Sequence, residues 1–152
     1  MSRDGGDSVG SEPVGRPDRI VAVPCEGADS LALFDLTTGS SLGEVPVGSH
    51  PVHATTLAGR TFVATMGERS VTTVDAGGEV ARIETGVLGP SHFATARGEL
   101  YVSCSAGDAL AVIDPTDSTL VDRVSVGAEP HELSVGPGGR RLYSGSRRAG
   151  VV

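Results

Sequence analysis

Four histidines are the side chains in this chain best suited to chemistry: His50, His53, His92 and His131. Imidazole is the commonest metal ligand, and it changes charge closer to neutral pH than any other unperturbed side chain. Three of the four keep step with a recurring proline. His53 and His92 stand two residues after Pro51 and Pro90, and His131 stands one residue after Pro130. His53, His92 and His131 are therefore the candidate metal ligands. The spacing argues for restraint, because no His-x-His or His-x-x-His pair supplies two ligands from one element. Glu129 and Glu132, the nearby carboxylates, are not spaced to select one metal. The one-residue offset of His131 is expected to turn it to the opposite side of its strand from its counterparts. No cofactor is predicted on this pattern, with a metal or haem as the alternative.

Other reactive groups carry less, and no catalytic residue is assigned. No Gly-x-Ser-x-Gly turn is present to expose a serine nucleophile. Cys104, in Tyr101-Val102-Ser103-Cys104, reads as a small hydrophobe at the end of a strand. Gly136-Pro137-Gly138-Gly139 lacks the following Lys-Ser/Thr of a phosphate loop. The pairs Arg140-Arg141 and Arg147-Arg148 make a local basic spot, read as a solvated turn. Asp35, Asp75 and Asp114 recur at intervals of 40 and 39 residues. A catalytic residue is usually singular, whereas a turn residue returns with its turn, so these aspartates are expected to cap turns by accepting backbone N–H bonds.

The elements that must position these side chains also repeat about every 40 residues. Leu31-Ala32-Leu33-Phe34-Asp35 returns as Thr72-Thr73-Val74-Asp75 and as Ala111-Val112-Ile113-Asp114. The prolines at 51, 90 and 130 share that period. So do the short apolar strands beginning at Ile20, Phe62, Leu100 and Leu142. A unit of this length holding four strands belongs to β-propellers. The fold class is therefore all-β, an open arc of about three and a half four-stranded blades. The units run approximately 19–50, 51–89, 90–129 and 130–152, the last incomplete, after an N-terminal tail over 1–18 expected to be disordered. The histidines then fall at the starts of innermost strands, near one mouth of the central channel. A count of three and a half blades predicts a truncated or partial propeller, or two chains that self-associate to complete a ring.

Composition excludes several classes of function. The formal net charge is −7 and all 12 basic residues are Arg, a balance that disfavours nucleic acid and anionic membranes. No apolar run serves as a signal-peptide core or a membrane span, so the expected location is cytoplasmic. Cys25 and Cys104 occupy equivalent places two units apart, too far for a disulfide within the chain.

Ser134-Val135-Gly136-Pro137-Gly138-Gly139-Arg140-Arg141-Leu142-Tyr143 resembles the YVTN-type propeller repeat of YncE-like and surface-layer proteins. Asp108 to Asp114 resembles its next strand, and Val124 to His131 its Val-x-Val-Gly-x-x-Pro-His link. The resemblance covers about Arg19 to Val152 and implies membership of a family of seven-bladed rings. In that family the link often carries His after Pro without metal. The function expected is a non-enzymatic binding or scaffold module, for a protein or small-molecule ligand. The alternative is a propeller enzyme, lactonase-like or a haem- or metal-dependent oxidoreductase, with its site at the channel mouth.

Overall fold

In the computed structural model, residues 19–148 are described; the tail over 1–18 and the last four residues lie outside them. The described residues form thirteen strands in four antiparallel sheets, with two short 3-10 turns and no α-helix. The first sheet holds β1 (Ile20–Cys25), β2 (Ser30–Asp35) and β3 (Ser41–Pro46) in that order. The second holds β4 (Pro51–Leu57), β5 (Arg60–Thr65), β6 (Ser70–Val74) and β7 (Val80–Glu84). The third repeats the second with β8 (Pro90–Ala96), β9 (Glu99–Cys104), β10 (Ala109–Asp114) and β11 (Thr119–Ser125). The fourth is the pair β12 (Pro130–Val135) and β13 (Leu142–Ser146). Every sheet is a meander of neighbours joined by tight turns, the connection that short strands rich in Gly turns favour.

The recurring aspartates close the turn after the third strand of each unit. Asp35 Oδ1 accepts the N–H of Thr37 at 2.7 Å, Asp75 Oδ1 those of Gly77 and Glu79 at 2.8 and 2.9 Å, and Asp114 Oδ1 that of Thr116 at 2.8 Å. These bonds favour the ionised form and hold the carboxyls of Asp35 and Asp75 below the ordinary range. A second pair of aspartates ties one sheet to the next. Asp29 Oδ1 accepts the N–H of His50 and Asp108 Oδ1 that of Glu129, both at 3.0 Å.

The sheets pack face to face, which accounts for the nearly continuous apolar runs. In β5, Phe62 and Ala64 face the third sheet, joining Leu100, Val102, Ala111 and Ile113 in one dry cluster. Val63, one residue out of phase, packs with Leu31 and Val47 on the other side. Alternation along the strand thus buries both faces of the second sheet, and all five residues of β6 are buried. The outer strands β3, β7 and β11 are largely exposed. No helix among the described residues is long and apolar enough to cross a membrane.

Candidate functional site

The inner strands β4, β8 and β12 each open on a buried proline: Pro51, Pro90 and Pro130. The residue before each proline has a left-handed backbone: His50 at φ 53°, Gly89 at 85° and Glu129 at 50°. After each proline the pairing with the second strand slips. Pro51 pairs with Thr65 yet His53 pairs with Ala64, and the same shift falls between Pro90 and Phe93 and between Pro130 and Leu133. The extra residue is a β-bulge, which re-aims side chains that strict alternation would place.

The bulges set the imidazoles next to one another across three sheets. The ring centroids of His53 and His92 lie 5.4 Å apart, and those of His92 and His131 only 4.2 Å. His131 was expected to face away from its counterparts. It does not, because the period-two rule that gave that expectation fails at the slipped register. His50 lies apart from this group. It is the left-handed residue of its link, and its ring meets the Ser49 hydroxyl at 3.0 Å.

Each ring has its own hydrogen-bonding state. His53 Nδ1 accepts the backbone N–H of Phe93 at 3.2 Å. That bond fixes His53 as the neutral tautomer protonated on Nε2. Nε2 of His92 lies 3.3 Å from Glu132 Oε1, while its Nδ1 is buried without a partner. Nδ1 of His131 lies 3.8 Å from the same Glu132 oxygen. Burial lowers the pKa of both His53 and His92, and the Glu132 carboxylate opposes the shift in each.

A buried set of serines braces the backbone beneath the rings. Ser103 Oγ accepts the N–H of His92 at 3.1 Å and donates to the carbonyl of His131 at 2.6 Å. Ser105 Oγ donates to the carbonyl of Pro130 at 2.8 Å, and Ser91 Oγ lies 2.9 and 2.8 Å from Ser103 Oγ and Ser105 Oγ. Sequence reasoning passed over these serines. Their one signal was the i, i+2 spacing of Ser103, near the end of β9, and Ser105, in the turn that follows it. Cys104 lies between them on the opposite face, and burial pushes its thiol up to about 11. Both cysteines are free thiols. The basic spot near the last turn is met from the same region, with Arg148 Nε 3.5 Å from Glu129 Oε1.

Solved structures share this architecture. Hydrazine synthase from Kuenenia stuttgartiensis superposes with a TM-score of 0.73 at 23% identity, over 81% of this chain and 37% of that one. A putative 6-phosphogluconolactonase from Bacteroides uniformis gives 0.67 at 17% identity, over 84% of this chain and 44% of that one. A streptogramin B lyase gives 0.68 at 16% identity, over 78% and 42%. The sheets are β-propeller blades. At these identities the likeness is one of fold, and the chain spans well under half the length of the structures it matches. No protein-family model and no curated protein sequence matches it.

Proposed function

We propose that this chain is a non-enzymatic binding module of the YVTN propeller type, holding its ligand where the inner strands β4, β8 and β12 begin. One observation carries the reading. Three partly buried imidazoles from three successive blades stand next to one another, with the Glu132 carboxylate beside His92 and His131. The groups around them are committed to structure: Ser103 and Ser105 donate to backbone carbonyls, and Cys104 is sealed from solvent. What the rim presents is a set of ring nitrogens and one carboxylate, groups suited to recognising a polar ligand.

A catalytic reading draws on one feature. Burial favours the neutral form of His92, so the ring is available as a proton acceptor at pH 7. Two of the similar structures are a streptogramin B lyase and a putative 6-phosphogluconolactonase. Nitrogen-15 NMR titration against a panel of small polar and lactone ligands separates the two. The binding module predicts shifts centred on residues 50–53, 91–93 and 130–132, with the ligand recovered unchanged. Product from a lactone, abolished by His92→Gln, would replace the binding reading with the catalytic one. Shifts confined to another face would overturn both.

A further inference from the structure

We propose that His92, His131 and Glu132 form a site for a divalent transition-metal ion of the zinc class, with His53 as a neighbour and not a ligand. The proposal deepens the binding-module reading, on which it rests for the place of the site, by naming the chemical class of what the rim holds.

The geometry is close to what such an ion requires. One ligand atom from each of the three residues falls within 4.8 Å of the others. Zinc bonds of about 2.0–2.2 Å set tetrahedral ligands roughly 3.3–3.5 Å apart. The 3.3 Å between His92 Nε2 and Glu132 Oε1 already matches one edge of that tetrahedron. The 3.8 Å from His131 Nδ1 to the same oxygen leaves a small closure to make. The Glu132 side chain is 74% exposed and free to make it. The backbone that carries the two rings is held by the Ser103 bridge between the His92 N–H and the His131 carbonyl. Two imidazoles and one carboxylate are borderline donors that suit zinc, cobalt, nickel or copper over calcium or magnesium. The exposure of Glu132 leaves the outer side open to water or to a donor from a further ligand.

Two details sharpen the assignment. His53 Nδ1 is committed to the Phe93 N–H, and among the described residues His53 belongs to no group of three ligand atoms close enough for an ion. His92 Nδ1 has no partner, so the ring lacks the outer hydrogen bond that orients most metal-bound histidines. Loss of such a bond typically weakens binding by about 10–100-fold, so the affinity should fall short of a site whose rings are all oriented in that way.

The test titrates the whole chain with Co(II), read by its visible d–d bands, and with Zn(II), read by calorimetry, at pH 7.5. Variants Glu132→Gln, His131→Asn and His53→Asn are measured beside the parent, each checked for an unchanged circular dichroism spectrum. A single ion per chain is expected, together with perturbed ring-nitrogen resonances of His92 and His131 but not of His50. Glu132→Gln and His131→Asn should each weaken binding by about tenfold or more, while His53→Asn, which removes no ligand atom, should weaken it by less than either. Glu132 is exposed, so its variant folds even where a ring variant does not. No heat and no visible band at millimolar metal would overturn the proposal, and so would an equal loss in His53→Asn. If metal fails while organic ligands still shift 91–93 and 130–132, the ion alone is lost and the binding module stands. If both fail, both readings go.

Discussion

His92 shows how burial becomes a dependence on pH. Its ring and that of His53 have pKa values lowered from the ordinary 6.5, with burial the largest cause in each. The Glu132 carboxylate works against the shift in both, while His131, His53 and Arg147 add to it for His92. A lowered value means that the folded chain binds fewer protons than the unfolded chain just below pH 6.5, so stability rises with pH there. The contribution is fully present above 6.5 and is lost as pH falls through the lowered folded values. Asp35 and Asp75 also have lowered values, but from 3.8, so their losses fall in a more acid window. Urea midpoints should therefore decline as pH falls below about 6.5, ahead of the more acid window of Asp35 and Asp75. His92→Gln should flatten that decline. An unchanged slope in the variant would show that the titration belongs to another group.

Among the elements, the links between blades carry the sharpest backbone demands. Gly89 precedes Pro90 at φ 85°, and a Cβ placed on it would stand 3.0 Å from the Ala106 backbone N and 3.3 Å from the Ala106 Cβ. Its carbonyl accepts the N–H of Ser105 at 2.9 Å, so the segment has little room to move aside. Gly89→Ala should cost about 1–2 kcal/mol from the left-handed conformation alone, with crowding added. His50→Gly, at the equivalent point of the previous link, should cost far less, because relief of the same conformation offsets the added freedom of the unfolded chain. Chemical denaturation of the two variants checks the contrast, and equal losses would refute it. These links also show what the sequence made legible. Strand positions and the Asx caps at Asp35, Asp75 and Asp114 were readable because each recurs with a local cause, a turn that needs an acceptor. The bulge after each proline was not, since it depends on how a strand fits the neighbouring blade. The missed bulge hid the approach of His131 to His92 and left Glu132 discounted as a ligand.

For the molecule as a whole, an arc of stacked blades has no long-range closure to share stability evenly, so each sheet depends on the neighbours it touches. The second and third sheets meet across Phe62, Val71, Leu100, Val102 and Ile113, all fully buried. At the far side of the third sheet, an open groove of about 510 Å³ runs along Tyr101, Leu110, Val124, Val126 and Leu142, and Val124 along it is exposed. Local opening should follow this gradient, because protection from exchange tracks the buried apolar contacts an amide's strand must break. Amides of β5, β6, β9 and β10 should exchange with solvent deuterium slowest, and those of β3, β11 and β13 fastest. Phe62→Ala should remove about 3–5 kcal/mol and speed exchange in β5, β6, β9 and β10 together, since one ring spans their shared face. The first-sheet amides of β2 should respond less, because they pack through Val63 on the opposite side of β5. Uniform protection over all four sheets, or a Phe62→Ala effect confined to β5, would show that the blades do not draw their stability from one another in this way.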